Sequence, residues 1–295
     1  MSSSTQDTIF PTEGVPTESE PWWGTFSLDE YTGGRWYVGP STLWVYRSSR
    51  DWRVVHRPST DPVTADPMAR RSDVVLPVED DEMLSVLGSE DPDLITHRYS
   101  VRDTDETIAL HPVLADRPVV ARPEHPLSVL PNESVTLYLS TPLWVRLELD
   151  ESGRLLQEVP SHRMSDTWFG PSTRTGELCY ATRTVGRLHL DRLPVRLHRA
   201  LTPLQIRNRA SEPLALERVQ LPAPYLALYC TPDDVLWSET VTMIRREGET
   251  GADVRIAEGP PSDVEQASRI QDPRETSKQG LITSTFSAFG ALFGP

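Results

Sequence analysis

Lysine is nearly absent from this chain. Of its 29 basic side chains only Lys278 is lysine, and the rest are arginine. Cysteine is scarce too: Cys179 and Cys230, both in strand-like runs, make neither a disulfide framework nor a zinc site, and buried reduced thiols are the expectation. No apolar run approaches the ~20 residues that a membrane-spanning helix needs. The first residues, MSSSTQDTIFPTEG, have neither a basic nor an apolar stretch of the kind a secretory signal carries. A cytoplasmic protein is expected. Catalytic signatures are missing as well. There is no G-x-S-x-G, no phosphate-binding glycine loop and no dinucleotide fingerprint. The seven histidines, at 56, 97, 111, 125, 162, 189 and 198, never fall at H-x-H or H-x-x-x-H spacing. No metal, cofactor or catalytic residue is expected.

Acid is abundant. Against 43 Asp and Glu the formal charge is −14, which repels nucleic acid and anionic lipid on average. An acidic, halophilic surface and a GC-rich genome that writes Arg for Lys both account for this balance. The 27 prolines exclude a mainly helical protein. They suit short strands joined by many turns.

Residues 1–21 hold Ser, Thr, Pro and acid without a basic side chain, and are expected to be disordered. Strands are expected at 35–39, 42–47 and 52–56, separated by short turns in a meander. Residues 58–93 contain five prolines and the cluster Glu79-Asp80-Asp81-Glu82. They read as an acidic, proline-rich surface insertion with one short helix over 80–87. From 134 to 149 the odd positions Val135, Leu137, Leu139, Leu143, Val145, Leu147 and Leu149 are apolar. Such alternation marks half-buried strands with one face on a core, and Thr141-Pro142 breaks the run. Further strands are expected at 177–185, 204–208, 214–221, 225–230 and 235–244, with 204–221 resembling a hairpin. The fold class this implies is all-β: a β-sandwich of two packed antiparallel sheets over 22–246. A flexible linker over 247–280 and an amphipathic tail over 281–295 follow. In that tail Ile282, Phe286, Phe289 and Phe293 share one helical face and form a candidate partner-binding stripe.

The most unusual loop is 162–174. It gathers hydroxyls, one carboxylate, arginines and two adjacent aromatics. Three readings are open. In the first it recognises a small polar molecule such as a sugar or osmolyte, with Trp168 and Phe169 as a platform and Asp166, Ser172, Thr173 and Arg174 fixing polar groups. In the second, Asp166 or Glu177 acts as an acid or base with His162. The third, simplest reading is an ordered turn with Trp168 in the core. The arginines between Arg183 and Arg209 read as strand-surface groups paired with carboxylates from elsewhere, and Asp116-Arg117-Pro118 as a turn held by side-chain bonds.

Four segments taken together carry a resemblance: 22–54 (WWG…RWYVGP…LWVYR…DWRV), 113–149, 165–184 and 202–222. They resemble a bacterial and archaeal domain-of-unknown-function family, the one numbered four hundred thirty-two. What the resemblance implies is a role beside a membrane channel, because genes of that family often neighbour those of small-conductance mechanosensitive channels. The expectation is a non-enzymatic cytoplasmic accessory protein that engages such a channel through its C-terminal tail. The alternative is a ligand-binding sandwich using the 162–174 loop.

Overall fold

The computed structural model describes residues 21–58, 74–102, 104–149, 153–170, 172, 174–248, 251–276 and 283–284. In chain order the first elements are β1 (Gly24–Ser27), β2 (Gly33–Val38), β3 (Ser41–Arg47), β4 (Asp51–Arg57), β5 (Val74–Val75), α1 (Asp80–Leu87) and β6 (Ile95–Ser100). Next come β7 (Thr107–Val113), β8 (Val119–Pro123), β9 (Leu127–Val129), β10 (Ser134–Pro142), β11 (Trp144–Leu149) and β12 (Arg154–Pro160). The third group is β13 (Ser165–Phe169), β14 (Glu177–Gly186), β15 (Arg199–Asn208), β16 (Leu214–Leu216) and β17 (Val219–Leu221). The last are β18 (Leu228–Cys230), β19 (Leu236–Ser238), β20 (Val241–Arg245), β21 (Ala252–Ile256), β22 (Ser268–Gln271) and β23 (Thr283–Ser284). The chain is all-β.

The expected meander forms: β2, β3 and β4 pair antiparallel in sequence, between β5 and β6. A second antiparallel sheet, ordered β1-β7-β11-β12, shares a hydrophobic core with it. Alternate residues face that core, as a pleated strand dictates. Trp36, Leu43, Val45, Trp52 and Val54 come from the meander, and Ile108, Leu110, Val145 and Leu147 from the other sheet. The region expected as a surface insertion partly covers the meander's outer face. Helix α1 lies where 80–87 was predicted. It buries Met83 against Trp44, Val55 and Val78. Its acidic first turn suits the positive end of a helix. Glu82 receives the Arg35 guanidinium at 2.6 Å and the Trp44 indole N–H at 3.0 Å.

A second core is built from the later strands. Its largest sheet runs β22-β18-β19-β15-β20-β21-β23, with β10 also on β15, and smaller sheets β13-β14-β8-β17 and β16-β9 adjoin it. Five sheets are therefore present among the described residues, rather than two, and β14–β8, β15–β19 and β15–β20 run parallel. The alternating run from 134 to 149 serves both cores. Leu137, Leu139 and Leu143 enter the second, and Val145, Leu147 and Leu149 the first. The chain leaves its ladder with β15 at Pro142 and crosses between sheets at Leu143, where the N–H donates to the His198 carbonyl at 3.0 Å.

Other expectations are corrected. Residues 204–221 do not form a hairpin: β15 pairs with β10 and β20, while β16 pairs with β9 and β17 with β8. Nor is 247–280 a linker throughout. It supplies β21 beside β20 and β22 beside β18, and buries Ala252 and Val264. The strands there are short, and their apolar residues are diluted by Gly, Pro and charge, which hides the period. The expected disorder of 1–21 falls outside the described residues except for Pro21. The tail helix over 281–295, with Ile282, Phe286, Phe289 and Phe293, also lies outside them. Within that span Thr283–Ser284 pair as a strand with Ala252 and Asp253.

Candidate functional site

The 162–174 segment becomes the edge of a sheet. β13 pairs antiparallel with β14, which runs parallel to β8, so β13 has a neighbour on one side only among the described residues. Thr167 faces Cys179, Trp168 faces Leu178 and Phe169 faces Glu177.

Adjacent residues on a strand point to opposite faces, and this separates the two aromatics. Phe169 is 1% exposed and packs with Val120 and Cys179. Trp168 is 44% exposed, as is its cross-strand partner Leu178. Trp168 is therefore not in the core, and the two rings make no common platform. The exposed indole is nonetheless fixed. Its N–H donates to the Ser172 carbonyl at 2.8 Å, folding the ring back over the turn. The Ser172 hydroxyl in turn accepts the backbone N–H groups of Arg174 and Thr175, at 3.3 and 3.1 Å. The turn closes tightly at Gly176, where a Cβ would fall 2.5 Å from the Phe169 carbonyl and 2.9 Å from the indole nitrogen.

Beside the apolar pair runs a polar chain. Asp166 pairs with Arg117 at 3.2 Å, and the Arg117 guanidinium sits 5.3 Å from the Tyr180 ring centroid. The Tyr180 hydroxyl donates to Asp116 at 2.9 Å. Burial, and then the Asp116 carboxylate, push that phenol up to about 12, so it remains a donor. The predicted turn at Asp116-Arg117 thus reaches this surface, a link between residues about fifty positions apart that local sequence does not signal. Arg174 and Ser172 are exposed at the turn, and Thr173 lies outside the described residues. Asp166 pairs with Arg117, and Glu177 accepts the Gln220 amide N–H.

The other reactive groups are quiet. Burial, helped by Glu177, raises the Cys179 thiol to about 12, and burial with Asp234 raises Cys230 to about 11. A thiol held there stays protonated and unreactive. Among the described residues no three His, Cys, Asp or Glu converge as a metal site would require. A groove of about 240 Å³ lies elsewhere, lined by Leu127, Val129, Leu130, Glu133, Val135 and Leu188. Of the arginines read as surface groups, Arg187 meets Glu124 at 3.6 Å. Arg199 instead is buried against Ser140. No helix among the described residues is long and apolar enough to cross a membrane.

No curated protein and no solved structure matches the chain. The family described as "Protein of unknown function (DUF432)" matches residues 22–290, most of the sequence and both cores, and the chain belongs to that family.

Proposed function

We propose that this protein is a non-catalytic interaction module of the cytoplasm, and that the β13–β14 hairpin is a surface by which it holds a protein partner. The observation that carries this reading is an exposed tryptophan that is already held by a hydrogen bond, on a strand whose outer edge is unpaired among the described residues. Ordering a free side chain on binding costs about 0.5–1.5 kcal/mol, and the Trp168–Ser172 bond removes much of that cost beforehand. Covering the exposed parts of Trp168 and Leu178 is worth roughly 3–5 kcal/mol at ~25 cal/mol per Å². Buried tryptophans of this kind dominate binding energy at interfaces. The edge of β13 also suits strand addition, in which main-chain bonds supply affinity and side chains supply selectivity.

The family resemblance makes a small-conductance mechanosensitive channel the partner to test first. The tail stripe of Ile282, Phe286, Phe289 and Phe293 is a second contact to examine. A different reading has one observation in its favour. An indole face beside the Asp166–Arg117 pair is also how a sugar or osmolyte is held.

The test uses the purified full chain and a small-conductance mechanosensitive channel from the same genome in lipid nanodiscs. The wild type is expected to bind. Trp168→Ala should weaken binding at least tenfold without changing the fold, and deletion of 281–295 reports on the tail separately. Equal binding by wild type and Trp168→Ala refutes the hairpin's role. Calorimetry with sugars and common osmolytes that shows Trp168-dependent binding supports the second reading instead.

A further inference from the structure

The two cores meet at several places, Trp23 packing against both, and one of them is a short strip of backbone around His198. Leu197 belongs to the first core and Ala200 to the second. Between them the chain gathers distant segments. The Trp22 indole N–H donates to the Leu197 carbonyl at 2.9 Å. The Leu143 N–H, at the crossing from β10 to β11, donates to the His198 carbonyl, and the Ser161 hydroxyl reaches the same oxygen at 3.5 Å. The Ser161 N–H closes the set by donating to the Leu143 carbonyl at 2.9 Å. The His198 ring packs on the turn between β2 and β3. A Cβ on Gly39 would lie 2.5 Å from its Cδ2, and Gly39 has φ +61°, so both space and backbone demand glycine there.

That ring is 1% exposed, and neither of its nitrogens has a hydrogen-bond partner among the described residues. The charged and titratable groups acting on it are Arg199 and Arg196 from its own segment and His162 from the stretch after β12. All carry, or can carry, positive charge. Arg199 is itself buried, and among the described residues its guanidinium donates to the Ser140 hydroxyl and carbonyl. The Ser41 hydroxyl, next to the Gly39 turn, and the Thr141 hydroxyl, next to the Leu143 crossing, are also buried without partners among the described residues. The seam is therefore closed by packing around an imidazole that must be neutral. A proton placed on it would create a buried cation with no bonded acceptor among the described residues, under the field of two guanidinium groups.

We propose that His198 is an acid-sensitive latch on the seam between the two cores: neutral, it lets the seam close, and protonated, it opens the seam while each core keeps its own packing. Burial first, and then Arg199, Arg196 and His162, hold its proton affinity well below the usual histidine value of 6.5. Closure is then at full strength above about pH 6.5 and weakens as pH falls below it. At pH 5.2 the closing equilibrium is about 20-fold less favourable. Local opening of this kind takes place where few apolar contacts close a boundary between packed units.

Hydrogen exchange on the full chain at pH 7.5 and 5.2, corrected for the intrinsic pH dependence, tests the latch. Peptides covering 39–41, 143–144 and 197–199 are expected to lose protection about 20-fold at pH 5.2. Those covering 204–206, inside the second core and on a different strand from His56, should stay better protected than the seam at both pH values. His198→Gln and His198→Met should lose the acid-induced difference at the seam. An unchanged seam in the wild type at pH 5.2, seam and second core opening together, or a full 20-fold loss retained in a folded variant overturns the proposal. Should neither variant fold, the wild-type comparison decides, because seam and second core are read in the same molecule.

Discussion

Replacing Trp168 and Phe169 by alanine, one at a time, probes neighbours that the pleat sends to opposite faces. Phe169 is 1% exposed and sits against Val120 and Cys179, with the Arg218 guanidinium 5.8 Å from its ring centroid. Deleting a buried phenylalanine removes its transfer free energy and leaves a cavity, a loss of about 3–5 kcal/mol. Trp168 is 44% exposed, and its indole bond to the Ser172 carbonyl lies at the surface. Its removal forfeits part of the buried ring and one hydrogen bond that water can replace, about 1–2 kcal/mol. Urea unfolding followed by far-UV circular dichroism measures both, provided the slope of the transition is unchanged. At about 2–4 °C per kcal/mol, the melting temperature should fall roughly 6–20 °C for Phe169→Ala and about 2–8 °C for Trp168→Ala. If Trp168→Ala is as costly as Phe169→Ala, the indole is a core residue and the hairpin presents no anchor.

His56 is 3% exposed, and burial, with His97 adding to it, pushes its pKa down to about 4. The unfolded chain then binds the extra proton, so stability is full above about pH 6.5 and falls toward pH 4; about 2–3 kcal/mol of it should be lost by pH 4.5. Urea midpoints of wild type and His56→Gln between pH 7.5 and 4.5 check this, and identical slopes refute it. Neither thiol should react with Ellman's reagent at pH 8 until the protein is unfolded, and prompt labelling of Cys179 in the native state contradicts its placement. The melting temperature should rise from 0.1 to 1 M NaCl, as screening shortens to ~3 Å and relieves the self-repulsion of a chain at −14; a flat or falling midpoint counts against it.

What the sequence disclosed follows from what a period encodes. The odd-position alternation over 134–149 correctly marks Leu137, Leu139, Leu143, Val145 and Leu147 as buried. A period of two names the face, though, and not the sheet. That Leu139 and Val145 serve different cores depends on β15 and β7, their remote partners. Helix α1 was legible because acid, apolar spacing and a following glycine all lie within one short segment. At the hairpin the strand implies that Trp168 and Phe169 diverge, but which is buried is set by the phase of β14 against β8. The reading of Trp168 as a core residue failed there. Asp116 and Arg117 join the surface through Tyr180, and nothing nearby in the chain announces that pairing. The histidine at the seam is equally silent, since its character comes from what surrounds it.

The central claim, that the fixed indole of β13 meets a partner, is tested most directly by hydroxyl-radical footprinting of the intact protein, alone and bound to a small-conductance mechanosensitive channel in nanodiscs. Trp168 should oxidise readily in the free protein, while the buried Trp22, Trp36 and Trp52 do not. On binding, Trp168 and Leu178 should become protected several-fold, with the other three tryptophans unchanged. A complex that forms while Trp168 stays as reactive as before contradicts the account.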